Sequence, residues 1–271
     1  MTTASPPTAN DTLRAWSNLL LAPLMWITSS LGFFVPSATD AGEFSDRTVN
    51  LLVPPGPAFS IWFPIFVGVI GYGIYQFKRA NRTREVYRAV GGWTALGFAL
   101  ICGWALIVAF APQDAAQLGS AIIFIPAVAA LIVATIRFTA RVNEVSGLER
   151  LFTWVPVSLI AGWCSLAVFL NWTPIAYDAF AGGEANVLSS LLILAAALGL
   201  IIWACRAAQC NKVYIVPAVW GLSWLAARHL YLDPVAPAIG WAALGGILLL
   251  LASALLHPRV PIAGYDQKMS A

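Results

Sequence analysis

The chain has 271 residues with a net charge of +3, and 60% of it is hydrophobic against 10% charged. Its mean hydropathy is +0.79. Soluble globular domains carry nearer 25% charged residues, so this composition excludes one. It points to an all-α, polytopic membrane helical bundle.

Stretches of about twenty apolar residues, each long enough to cross a hydrocarbon core at 1.5 Å per residue, recur from end to end. Eight are predicted: Trp16–Val35, Ala58–Phe77, Gly91–Ala111, Leu118–Phe138, Leu151–Thr173, Asn186–Ala208, Val213–Leu230 and Val235–Leu256. Residues 1–14 read as a cytoplasmic tail, rich in Ser, Pro and Thr and disordered. The first span resembles a signal peptide in position, with Pro36-Ser37-Ala38 near a cleavage point. Its apolar run is too long and its preceding charge too small for one, so it is expected to be retained.

With the first terminus inside, Lys and Arg separate by side. Arg14, Lys78, Arg79, Arg82, Arg84, Arg88, Arg137, Arg141, Arg150, Arg206, Lys212, Arg259 and Lys268 fall inside, and only Arg47 and Arg228 outside. Thirteen against two is a strong positive-inside bias and predicts both termini in the cytoplasm, in a multi-pass protein of the cell membrane. The basic run from Lys78 to Arg84 then meets anionic head groups at the lipid bilayer rather than nucleic acid.

The second span opens on Pro54-Pro55-Gly56-Pro57, which fixes the angle at which the helix starts. Phe59, Trp62 and Phe66 follow at i, i+3 and i+7 on one face, Pro64 is a predicted kink, and Gly68 allows close helix approach. Trp104 lies deep in the third span. In the fifth, Trp163, Ala167 and Asn171 make one stripe at i, i+4 and i+8: a flat wall, room beside it, and an amide that must find partners. Trp220 and Trp224 sit one turn apart on the seventh span. Ala238, Ala242 and Gly246 form a small-residue stripe on the eighth, and the two together are a candidate homodimer contact.

Catalytic signals are missing. No Asp, Glu or Lys lies mid-span, where proton- and ion-coupled transporters keep such groups. The histidines, His229 and His257, are predicted at opposite faces and share no metal. There is no Ser-His-Asp set, H-E-x-x-H or phosphate loop. Cys102, Cys164, Cys205 and Cys210 have no C-x-x-C pairing and read as packing residues.

Pro54-Pro55, Phe59 and Trp62 at the head of the second helix, Trp104 in the third, and Trp163, Ala167 and Leu170-Asn171 in the fifth resemble the TspO/MBR family of translocator and tryptophan-rich sensory proteins. The resemblance covers about residues 10–174, with Ile101 standing where the family has Asn. It implies a five-helix core over 15–174, followed by a three-helix extension over 175–271. It also implies a pocket for porphyrins, haem-related tetrapyrroles or sterols under the first loop. By that resemblance Trp62 and Trp163 flank the ligand, Trp104 stands nearby, Asn171 is a polar helper and Ser37–Pro57 is the lid. The lid's Asp40, Glu43 and Asp46 outnumber its one cation, Arg47, which disfavours an anionic carboxylate ligand.

The expected function is therefore binding of a hydrophobic, aromatic small molecule, as sensor, regulator or carrier. No resident cofactor is expected beyond a porphyrin- or haem-like ligand. The binding residues read from the sequence are Phe59, Trp62, Phe66, Trp104, Trp163, Ala167 and Asn171. A scaffold role without a ligand, and light- or redox-dependent tetrapyrrole breakdown with Trp62 and Trp163 as electron donors, are the alternatives.

Overall fold

A computed structural model describes residues 6–47 and 50–255. Arg259, Lys268 and His257, and the side chain of Asp46, lie outside what is described. All regular structure in the described residues is helical, with several short helices and eight long ones: α1 (Ala9–Ser29), α2 (Trp62–Phe77), α3 (Glu85–Phe110), α4 (Gln113–Thr139), α5 (Trp154–Ala181), α6 (Val187–Ala207), α7 (Lys212–Ala227) and α8 (Pro237–Leu255).

Helix ends follow local chemistry. α1 starts at Ala9, inside the stretch expected to be a disordered tail, because Thr8 and Asp11 form a reciprocal capping box. Ala111 is extended before Pro112, which ends α3 and opens α4. Gly182 closes α5 in the left-handed region, at φ 62°. Asn186 and Asn211 cap α6 and α7 with their side-chain oxygens. Pro64 falls in the first turn of α2, where a missing N–H costs no intrahelical bond.

Among the described residues, six helical stretches are long and apolar enough to cross a membrane: Gly56–Phe77, Glu85–Phe110, Gln113–Thr139, Gly147–Ala181, Val187–Ala207 and Pro237–Leu255. The predicted count was eight. Polar residues from Asn10 to Asn18 dilute the first half of α1, and the 16 residues of α7 reach only about 24 Å. Both helices are nevertheless packed into the bundle.

α1, α2 and α3 pack together, and α3 lies along α4. α5 is shared, touching α2 and α4 on one side and α6 and α7 on the other. α8 closes the second group against α6 and α7. Two glycines set the spacing around α5. A Cβ on Gly68 of α2 would meet the Pro156 side chain at 2.7 Å, and one on Gly162 of α5 would collide with the backbone carbonyl of Tyr214 on α7. Side-chain volume is traded there for helix contact.

The two ends of the bundle differ. Arg14 reaches Gln76 and the Arg82 carbonyl, Arg88 pairs with Asp11, and Arg84 pairs with Glu149. Asn211 ties the same end together through Thr139 and Ser158. Arg47 and Arg228 are at the other end, with the connection between α1 and α2.

Candidate functional site

The α1–α2 connection begins with a short helix, Leu31–Phe34, and a second, Ala41–Asp46, capped by Asp40. Phe44 on the second is buried against Val108 and Ala116, and the Thr39 N–H donates to Ala109 O. Beneath it is a cavity of about 70 Å³ lined by Phe44, Ser45, Asn50, Phe59, Trp62, Trp104, Gln117, Phe124, Trp163, Ala167, Leu170, Asn171 and Pro174. About 10–15 Å³ of such space is enough for one water, so the hollow has room for a few.

Six of the seven residues named from the sequence line this cavity: Phe59, Trp62, Trp104, Trp163, Ala167 and Asn171. They arrive from the short 3-10 helix Gly56–Ile61 and from α2, α3 and α5. Trp163 is 2% exposed, and the edges of Trp62 and Phe59 meet it at 6.3 Å and 6.0 Å between ring centres. The seventh, Phe66, is turned away. It is stacked between Trp26 at 5.6 Å and Trp62 at 5.1 Å, so it backs the Trp62 ring instead of facing the hollow. Such a three-ring stack fixes Trp62 without a hydrogen bond.

The polar members are mostly committed. Trp104 donates its indole N–H to Asn171 Oδ1 at 3.1 Å, and Asn171 Nδ2 donates to Ala167 O at 2.9 Å. Asn171 thus holds Trp104 in place. Gln117 Nε2 donates to Asn171 O at 2.9 Å, while its buried Oε1 has no partner. Sequence reading passed over Gln117, which stands one residue before a predicted span and looks like any loop amide.

The second half of the connection is clasped from several helices. Pro174 lies within α5 and has no N–H, which frees the carbonyl of Leu170, four residues back. Asn50 Nδ2 donates to that carbonyl at 3.0 Å, and Asn50 Oδ1 accepts from the Leu52 N–H. Arg228 donates to the carbonyls of Asn50 and Val53, and His229 Nε2 donates to Leu51 O at 2.7 Å. Trp220 Nε1 donates to Ala58 O at 2.8 Å, next to Phe59. The extension therefore grips the segment that delivers Phe59 and Trp62. None of this was readable from periodicity, because every one of these bonds except the local Asn50–Leu52 turn joins residues more than 100 apart in the chain.

Other features singled out from the sequence have separate places. Trp220 and Trp224 meet edge to face at 5.7 Å. On α8, Ala238 is exposed, Ala242 is half-buried, and Gly246 is buried against Leu198 and Leu222. Cys102, Cys164 and Cys205 are buried, Cys210 is half-buried, and all four are free thiols. Among the described residues no His, Cys, Asp and Glu cluster could hold a metal.

The family model for TSPO-like protein matches residues 15–256. No curated protein and no solved structure matched the chain. The match runs through the indole-lined hollow and on through α6, α7 and all of α8, so the last three helices lie inside the matched region as much as the first five do. With its apolar membrane-length helices, this chain belongs to the TSPO-like protein family and is a multi-pass integral membrane protein.

Proposed function

We propose that the protein binds a flat, apolar aromatic molecule in the hollow between α2, α3 and α5, and acts as a sensor, regulator or carrier for it. The observation that carries this reading is the convergence of Phe59, Trp62, Trp104 and Trp163 on one cavity beneath the α1–α2 connection. Ring walls suit planar guests because stacking tolerates variation in hydrogen bonding. The hollow as it stands is too small for a guest of several fused rings, so binding one requires the Ala41–Asp46 helix, Phe59 or Trp62 to shift. The first half of the connection has few ties to the bundle and is the part proposed to lift.

The proposed topology is eight crossings in the cell membrane, five in the core of residues 15–174 and three in the extension, with both termini cytoplasmic. The gathering of Arg14, Arg82, Arg84 and Arg88 at one end of the bundle supports it. Tetrapyrroles and sterols are the ligand classes that membership of the family suggests.

The test is a titration of protoporphyrin IX into purified protein in lipid nanodiscs, followed by tryptophan emission. Saturable quenching that weakens at least tenfold in Trp62→Ala and Trp163→Ala supports the reading. Linear quenching removes a closed macrocycle as the guest, and equal saturable quenching in wild type and both variants removes the hollow as the site.

A further inference from the structure

We infer that Gln117 selects guests that carry an N–H or O–H donor at the edge of the ring system. This rests on the proposed binding site and narrows its ligand. Among the described residues, Gln117 Oε1 is the one buried side-chain polar atom in the cavity lining without a partner. Its orientation is fixed, because Nε2 donates to the Asn171 carbonyl, which can only accept. The neighbouring amides are engaged at both ends. Asn171 accepts from Trp104 and donates to Ala167 O, and Asn50 accepts from the Leu52 N–H and donates to Leu170 O.

A buried acceptor left unpaired is unfavourable, and a donor that reaches it gains accordingly. Water satisfies such an atom well only when it finds two to four polar partners. Here most of the remaining wall is Phe59, Trp62, Phe124, Trp163 and Ala167, which offers it few. A guest with an apolar flat body and one edge donor matches both the rings and the orphan oxygen. Indoles, open-chain pyrrole pigments and phenols have that form. A closed tetrapyrrole macrocycle does not, because its N–H groups point to its own centre. Its carboxylates would also find no cation in the lining, since Arg47 is paired with Glu43 on the exposed face of the connection.

The test compares indole with 1-methylindole, which differs by the donor alone, in equilibrium dialysis against protein in nanodiscs, with empty nanodiscs subtracted. Wild type is expected to bind indole about five- to tenfold more tightly than 1-methylindole, the worth of one hydrogen bond. Gln117→Leu and Gln117→Met, two variants in case one does not fold, should bring that ratio below about twofold. The ratio of ratios cancels the different partitioning of the two probes into lipid. If both probes bind wild type alike, or the preference survives in a folded Gln117 variant, this inference fails while the binding site stands. If neither probe binds saturably but protoporphyrin IX does, the donor rule is again overturned. Failure of all three probes overturns the binding site itself.

Discussion

At its basic end, the interface of α1, α2 and α3 is filled by polar side chains that satisfy one another, whereas at the opposite end aromatic rings surround unfilled space and an unpaired carbonyl. In the first region Asn18 Nδ2 donates to Arg14 O, Gln76 Oε1 and Gly91 O, and its Oδ1 accepts from Thr94. Gln76 donates to the Tyr72 hydroxyl, which meets Thr94 at 3.0 Å. Asn18, Tyr72, Gln76 and Thr94 are all fully buried. The second region has comparable residue types, with amides, indoles and a serine, yet it keeps a hollow and leaves Gln117 Oε1 without a donor. A satisfied buried network rigidifies and specifies a fold. On the proposed function, the incomplete one around a void is where a guest would bind.

If that contrast is real, equal insults should have unequal effects. Tyr72→Ala in the filled region is predicted to lower stability by about 3–5 kcal/mol, through cavity formation and two lost hydrogen bonds. Trp62→Ala removes a larger ring but borders space already empty, and should lower stability by only about 1–2 kcal/mol while weakening guest binding at least tenfold. Thermal melting in detergent measures both, and similar losses for the two would break the contrast.

Smaller effects sharpen it. Arg228→Ala frees the carbonyls of Asn50 and Val53 and should lower stability by about 1 kcal/mol. Hydrogen exchange should rise several-fold in residues 50–58 and stay unchanged around Thr94, and a rise in both places would contradict the clasp. Pro174→Ala returns a helical partner to Leu170 O in competition with Asn50, so the same segment should loosen less, by twofold or so.

The filled end also has a pH signature. The Arg88 guanidinium, with help from Thr8 and Arg14, holds the Asp11 carboxyl well below the usual carboxylate range against its own desolvation. A carboxyl with a depressed folded pKa adds stability above its unfolded value of 3.8, and that stability is lost as pH falls through the lower folded value. Wild-type melting temperature should therefore fall as pH drops below about 4, and Asp11→Asn should flatten part of that slope. Guest affinity at the other end should not follow it.

The long apolar runs of α2 to α6 and α8 are plain in the sequence because the bilayer imposes length and composition together. The fifth span is predicted to end at Thr173. The helix continues to Ala181 because Asn50 takes up the freed carbonyl and Tyr177 meets Ser190. Large rings at helical spacing brought out Phe59, Trp62, Trp104 and Trp163, but spacing alone could not tell that Phe66 faces Trp26. Phe44, Asn50 and Gln117 were passed over because loop and helix-end positions carry no period. The clasp by Trp220, Arg228 and His229 depends on how two groups of helices dock, which single-chain patterns do not encode.

The most direct test of the hollow is to fill it. Ala167 lines it from α5, and Ala167→Leu adds about three methylene-sized groups, close to the space present. The account predicts a folded protein whose stability is unchanged or raised by up to about 1 kcal/mol and whose saturable aromatic binding is lost. A loss of more than about 2 kcal/mol, meaning that there was no room, or binding that survives the filled cavity, would contradict it.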